Sequence, residues 1–395
     1  MKDLKYLKLL SKSFPTISEC TTEIINLEAI LNLPKGTEHF LTDIHGENEA
    51  FEHVIKNASG VIKKKVEEIF GHTLRECEKR ELCTIIYYPV EKLSLINNKE
   101  RDLNDWYRMI LLRLMKVCEN VSSKYTRSKV RKALPKEYSY IIQELLHESS
   151  SEPNKQAYVA SIISTIVSTG RARHFIIAIS KLIQRLTIDS LHIIGDIYDR
   201  GPGAHIIMDF LCNYHNFDLQ WGNHDIVWMG AAAGSEACMA NVVRMSLRYA
   251  HLATLEEGYA INLLPLATFA IETYGNDPCT LFKPKTEEGG VLKQTQMDLL
   301  SKMHKAISII QFKLEGEVIK RNKEFGMDDR NLLHLIDFTK GTIIIRGIEY
   351  PLKDTNFPTI NPSDPYKLTP DERDLVNDLM HNFMHSEILR KHMRC

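Results

Sequence analysis

The sequence has eight cysteines (Cys20, Cys77, Cys83, Cys118, Cys212, Cys238, Cys279, Cys395) but no CxxC pair and no regular spacing among them. A zinc ribbon needs paired thiolates and a small secreted scaffold needs a dense, ordered set, so neither is expected. Small buried apolar residues in a reducing compartment are. No run of about 18 apolar residues occurs, which excludes an ordinary membrane-spanning helix. The first ten residues thread Lys2, Asp3, Lys5 and Lys8 through their apolar positions, unlike a signal peptide. Net charge is nearly absent, at −1. No global positive field therefore draws nucleic acid or an anionic membrane, and an anionic substrate needs a local basic group. Internal repeats and low-complexity tracts are also missing. What is present is ordinary globular composition, 44% apolar and 26% charged, over 395 residues. That length is large for one core, so two lobes or large insertions are expected, in a soluble cytoplasmic protein.

Three segments read as buried strands that end in polar turns: His39–Gly46, Leu191–Gly201 and Phe217–Asp225. Each has a short apolar or β-favouring run followed by glycine and polar residues. Open α/β sheets bind ligands at the carboxyl ends of their strands, where these polar residues fall. Between the first two segments the pattern is helical. Leu103, Tyr107, Ile110, Leu114 and Val117 make one amphipathic stripe, and Ile162, Ile163, Ile166 and Val167 another. The polar stretch Glu148–Gln156 reads as a surface loop. This is too much chain for a crossover connection. The predicted organisation is a first part of the core at 1–60, a helical insertion at 61–185, a second part of the core at 186–240 and a mainly helical extension at 241–395. In that extension, helices are expected around Asn241–Tyr249 and Met303–Leu314, separated by the Gly/Pro-bearing stretch Tyr274–Gly290. Thr342–Tyr350 reads as a hairpin. Thr369-Pro-Asp-Glu372 is a capping box that should open the last helix.

The motifs Asp43-Ile-His45, Gly195-Asp196 and Gly222-Asn-His-Asp225 supply carboxylate, imidazole and amide oxygen, the ligands of divalent metals that activate water. Two metals about 3.5–4 Å apart can clamp both ends of an in-line phosphoryl displacement. Each motif alone is weak, because an isolated DxH or GD is usually only a turn. Three of them in this order, each after an apolar run, make a specific signal.

The series DxHG, GDxxDRG and GNHD is similar to the calcineurin-like metallophosphoesterases, especially the branch with the serine/threonine protein phosphatases. The resemblance implies that Asp43 and His45 bind one metal, Asp196 bridges and Asn223 binds the other. It further implies that His224, oriented by Asp199, protonates the leaving alkoxide and that Arg200 holds phosphoryl oxygens. Imidazole is well poised to donate that proton near neutral pH, and a guanidinium pairs bidentately with phosphate. Beyond the motifs, the runs Glu23–Phe40, Ser123–Pro135, Gln220–Asp225, Gln311–Glu315, Thr359–Pro362 and His385–Glu387 with His392-Met393 resemble the bacterial class III fructose-1,6-bisphosphatases over essentially the whole chain. The implied reaction is fructose 1,6-bisphosphate plus water to fructose 6-phosphate and phosphate, a gluconeogenic step. Manganese is the implied metal, although the ligand set also suits iron or zinc.

The basic run Lys124, Arg127, Lys129, Arg131 and Lys132 reads either as a solvated helix face or as a clamp in which Lys124, Arg127 or Arg131 holds the distal phosphate. Gly230–Gly234 reads as small residues that let a helix pack close to the sheet rather than as a phosphate cradle, and Trp221 and Trp228 as core.

The pattern departs from the superfamily in one respect. Its sites are completed by two later histidines in Gly-His contexts, and here the only Gly-His pair is Gly71-His72. His251, His304, His334, His381, His385 and His392 lie in helix-like surroundings. The expected fold is therefore an α/β calcineurin-like core with large helical insertions and with its C-terminal strands missing, and a complementing C-terminal fragment or a homo-oligomer is an expected partner. The competing expectations are an inactive truncated relative, and a protein phosphatase or dinucleotide polyphosphate hydrolase with the same motifs. The missing ligands predict weak metal binding and little or no turnover by this chain alone. Full turnover by the purified chain with manganese would sink that expectation.

Overall fold

The computed structural model describes residues 2–33, 35–96, 103–147, 153–285 and 293–395. The chain divides into two compact units, Met1–His39 with Glu52–Leu191, and Phe40–Phe51 with His192–Cys395. The architecture is mixed α/β with two small sheets among many helices.

The first unit is helical. Its core gathers side chains from Val61–Phe70, Glu76–Tyr87, Leu103–Ser122, Pro153–Ser168 and Ala172–Thr187, including Ile62, Leu82, Ile110, Leu114, Phe175 and Ile179, all buried. The stripe expected from Leu103 to Val117 is the buried face of Leu103–Ser122. Each such aliphatic side chain contributes about 1.5–3 kcal/mol by leaving water, so the helices need one another more than their own propensities. The expected loop at Glu148–Gln156 falls partly outside the described residues. From Pro153 onward the chain is already helical, because a proline at the first position has its φ preset and loses no needed N–H. Two helices stand apart from this core: α1 (Lys2–Ser13) and α2 (Ile17–Leu31). No residue of α2 is buried.

The second unit holds the sheets. Strands β1 (Glu38–Thr42), β2 (Ser190–Ile194) and β3 (Phe217–Gln220) lie in the order β1-β2-β3, and the unit boundary falls within β1 and β2. Asp189 N–H donates to Thr37 O at the start of the first pair, and Thr42 Oγ1 donates to Ile194 O at its end. His192 meets Asp218, and Gly195 meets Gly222. All three strands therefore run parallel, and their carboxyl ends converge. The second sheet is antiparallel: β4 (Ile336–Asp337), β5 (Thr342–Ile345) and β6 (Ile348–Pro351). The hairpin expected at Thr342–Tyr350 is present, with Arg346 and Gly347 both at positive φ, as a two-residue turn of the primed type requires. β4 adds a third strand that was too short to read from the sequence.

The helix Gln294–Arg321 carries fourteen buried residues, two of them lysines. Lys313 Nζ lies 2.6 Å from Glu372 Oε2 and 2.7 Å from Thr359 O, with both side chains almost fully buried. Lys305 Nζ lies between Asp277 (2.6 Å) and Asp354 (2.7 Å). Burial alone would raise the Asp277 pKa, but hydrogen bonds from Lys305, Cys279 N–H and Asn356 outweigh it and hold the group at about 2. Glu372 also accepts from Thr369 N–H at 2.8 Å, as the second half of the expected capping box.

Several expectations need correction. The helix opened by Thr369, Pro370–His385, is followed by another, Glu387–Arg394, capped by Ser386 Oγ. A lone serine between two helical runs is too weak a break to read in advance. Cys212 and Cys395 form a disulfide, with Cα atoms 5.8 Å apart, because Ala204–Cys212 packs against the last helix across 183 residues of sequence. Trp228 is buried, but Trp221 is 62% exposed because it follows the end of an edge strand. Gly230–Gly234 spans the end of the helix Asn223–Ala232, where a Cβ on Gly230 would come within 2.7 Å of Cys238 Sγ. The close neighbour is the next helix, Glu236–Arg248, rather than the expected sheet. Among the described residues no single helix is long and apolar enough to cross a membrane.

Lys313→Met should cost about 3–5 kcal/mol, because it leaves the Glu372 carboxylate buried without its counter-charge. Urea denaturation at neutral pH measures it, and a cost under about 1 kcal/mol would show that the pair is not the internal anchor described.

Candidate metal centre

The three parallel strands deliver their turns to one place, and the backbone there is unusual. Asp43, His45, Asp196 and Asp199 all have positive φ, at 53°, 48°, 53° and 125°. Non-glycine residues in this region cost about 1–3 kcal/mol each unless the surroundings hold them. Several bonds do hold them. His45 N–H donates to Asp196 O at 2.8 Å, Gly201 N–H to His45 O at 2.5 Å and Gly203 N–H to Gly46 O at 2.9 Å, which lock the first two turns together. At Gly195, also at positive φ, a Cβ would lie 2.5 Å from Gly222 N, so only glycine lets the second and third turns meet.

The main clasp is Asp225, which is 4% exposed. One carboxylate oxygen accepts from Asp196 N–H (2.7 Å) and Gly222 N–H (2.9 Å). The other accepts from Ile197 N–H (2.9 Å) and Tyr198 N–H (3.2 Å). One side chain thus satisfies four backbone donors on two different turns. It also sits in the first turn of Asn223–Ala232, where a carboxylate complements the helix dipole.

These turns bring Asp43, His45 and Asp196 together, each offering a ligand atom within 4.8 Å of the others. His45 Nε2 is 3.8 Å from Asp43 Oδ1, while His45 Nδ1 faces Tyr198 O at 3.5 Å. A carbonyl on Nδ1 fixes that nitrogen as the donor and leaves Nε2 as the lone-pair ligand, the usual arrangement around a bound metal. Two carboxylates and an imidazole fit a divalent transition ion. Asn223 is the first residue of its helix and is exposed. It adjoins Gly222, whose backbone abuts the Asp196 carboxylate, and His224 N–H approaches Asp196 Oδ1 at 3.4 Å.

Beside this cluster lie His224, Asp199 and Arg200. The Asp199 side chain is only 1% exposed, and its Oδ2 lies 3.3 Å from His224 Nε2 and 3.4 Å from Arg200 Nε. The imidazole and guanidinium therefore share one buried carboxylate, and both remain partly open to solvent. The rings of His45 and His224 meet edge to face, 6.0 Å between centroids.

Of the six later histidines, none joins the cluster among the described residues. His304 Nδ1 bonds Phe282 O, His334 bonds the Tyr366 hydroxyl, and His381 stacks on His385. His392 is buried, with Nδ1 3.1 Å from the Tyr259 hydroxyl and Nε2 3.1 Å from Asp209 Oδ1. Burial lowers its pKa while Asp209 opposes the shift. A neutral ring with Nε2–H on Asp209 fits these contacts. The chain continues from the Tyr259 hydroxyl to that of Tyr198 at 2.7 Å, so a buried polar line reaches the turn of Asp196. Sequence reasoning missed this line, because its members are 61 and 133 residues apart. It counted Asp225 as part of a ligand motif and missed its role as a clasp, although an acid three residues after a glycine at a helix start signals that role.

The basic run lies in the first unit. Lys124 Nζ contacts Thr37 Oγ1 (3.0 Å) and Thr187 O (3.2 Å), and burial lowers its pKa, with Asp189 opposing. Arg127 and Arg131 are exposed on the short helix Arg127–Ala133, and Lys129 pairs with Asp189.

Fold and site together define an α/β protein whose parallel strands end in a carboxylate–imidazole cluster suited to a divalent metal. Residues 5–395 match the family described as Firmicute fructose-1,6-bisphosphatase, and the chain belongs to that family. Proteins named fructose-1,6-bisphosphatase class 3 from Bacteroides fragilis and Bacteroides thetaiotaomicron are each 68% identical to it over 394 residues, and one from Clostridium novyi is 62% identical over 393. Each alignment takes in all of this chain and 59% of the relative, so the chain spans about three fifths of the length of these curated relatives. No solved structure matches.

Asp225→Ala removes the acceptor of four backbone donors and should lower stability by about 3 kcal/mol or more. It should also weaken divalent-metal binding, read with Mn²⁺ as the probe, by about 10–100-fold, as losses around metal ligands do. Thermal melting and manganese titration followed by electron paramagnetic resonance read the two effects. An unchanged metal affinity would show that the ligand turns hold themselves.

Proposed function

We propose that this site hydrolyses a phosphate monoester, converting fructose 1,6-bisphosphate and water to fructose 6-phosphate and phosphate in gluconeogenesis, with Mn²⁺ as metal. The carrying observation is the convergence of Asp43, His45 and Asp196 at the ends of parallel strands, beside His224, Asp199 and Arg200. Supporting it are the family to which the chain belongs and the name shared by its relatives. Residues 1–60 and 186–240 are read as the two parts of a calcineurin-like metallophosphoesterase core.

In this reading Asp43 and His45 would hold one ion, Asn223 would contribute to a second and Asp196 would be shared by both. Divalent ions bound there supply Lewis acidity and a lowered pKa for water. The remaining steps belong to the chain. Arg200, fixed at Nε by Asp199, presents its free N–H groups to the phosphoryl oxygens and draws an anion toward a protein with no net field to do so. His224 carries the proton that the departing sugar alkoxide needs, and Asp199 keeps the ring aimed. The shared carboxylate orders both groups before substrate arrives, so less ordering remains for the reaction itself.

The test is phosphate release by the purified chain with Mn²⁺ from fructose 1,6-bisphosphate, fructose 6-phosphate, a phosphoserine peptide and a dinucleotide polyphosphate. Because the later Gly-His ligands are not among this chain's residues, release should be small; it should exceed the Asp196→Asn background only with the bisphosphate, and His224→Asn should bring it down to that background. Faster release from the peptide or the dinucleotide, or equal rates in wild type and Asp196→Asn, would sink the reading.

A further inference from the structure

Helices α1 and α2 form the most apolar uncovered surface of the first unit. Eleven leucine, isoleucine and tyrosine side chains on them are each at least about a third exposed, among them Tyr6 (63%), Leu7 (56%), Ile24 (59%) and Ile25 (64%). None belongs to the core built from Ala58 to Ile188. On α2, Ile17, Cys20, Ile24, Leu27 and Leu31 recur at intervals of three and four, the heptad seam that one helix presents to others. Part of that seam faces Leu7, Leu10 and Phe14 across an open cleft of about 400 Å³, so the two helices leave their shared groove unfilled. A stable interface needs about 800 Å² from each partner, and eleven large exposed apolar side chains on two adjacent helices are the kind of surface that forms one.

The charges say what covers it. Beyond Asp3, the charges on α1 are basic, with Lys5, Lys8 and Lys12 exposed. The charges on α2 are acidic, with Glu19, Glu23 and Glu28 and no lysine or arginine. Among the described residues none of these lysines or glutamates is ion-paired. We propose that the α1–α2 hairpin is a homodimerisation element, in which two copies pack as a four-helix bundle with α1 of each chain against α2 of the other. A two-fold axis makes the surface self-complementary, so the basic helix meets the acidic one twice. The apolar seams fill each other's clefts with the left-handed packing that heptad spacing favours. An anionic membrane suits α1, but it would repel α2.

Sedimentation velocity of the full chain across the micromolar range tests this. The wild type should be a dimer, and Ile24→Glu with Leu27→Glu should be a monomer with an unchanged circular dichroism spectrum. A chain with Lys5, Lys8 and Lys12 each changed to Glu should be monomeric. So should a chain with Glu23 and Glu28 each changed to Lys. An equimolar mixture of these two should recover dimers, because the swapped helices are again opposite in sign. A monomeric wild type, a dimer that survives the Ile24/Leu27 change, or a mixture that stays monomeric would overturn the proposal. So would binding of the wild-type monomer to phosphatidylserine vesicles without dimer formation.

Discussion

Two oxygen atoms of Asp225 accept four backbone hydrogens, and the centre depends on that arrangement. Parallel strands end in unpaired N–H groups, and turns that place ligands close together cannot also satisfy those donors with regular structure. A buried carboxylate solves both problems, since its charge is balanced by converging N–H dipoles and its geometry ties one turn to the next. The cost of the positive-φ residues is then met by bonds made elsewhere in the fold. Ligand convergence and backbone satisfaction are one arrangement here.

Much of this was legible in the sequence. The three strands, the long amphipathic helices and the Thr369 cap follow from local rules of periodicity and capping, and they stand where those rules put them. Within the site, Asp43, His45, Asp196 and His224 stand in motifs that follow apolar runs, whereas Asp199 and Arg200 came only from the family resemblance; the fold brings these side chains near one another. The features that stayed hidden are those made by distant pairing. The Tyr198–Tyr259–His392 line, the Cys212–Cys395 bond and the Lys313–Glu372 pair join residues that carry no local mark of one another. The exposure of Trp221 was hidden for a related reason, since an aromatic residue beside a strand says nothing about which strand is the edge.

The second unit contains two ways of carrying charge inside. Lys305 and Lys313 are anchored to carboxylates along one long helix, where each ammonium is buried against its partners and serves packing, although Glu372 Oε1 is left buried without a hydrogen bond. Asp199 differs, since its buried carboxylate faces two groups that stay partly exposed. The first arrangement favours rigidity and one conformation. The second leaves its partners partly open to solvent.

The positive φ of the metal-facing residues narrows what evolution can try there. Aspartate, asparagine and histidine tolerate left-handed backbone better than other side chains with a Cβ, and they are also good ligands. Two independent requirements therefore select the same short alphabet at residues 43, 45 and 196. Glutamate could in principle bind the same ion, but it carries an extra methylene and no comparable tolerance of that backbone. Substitutions that look conservative by charge are thus unequal by conformation, and the neutral paths through sequence space near this centre are few.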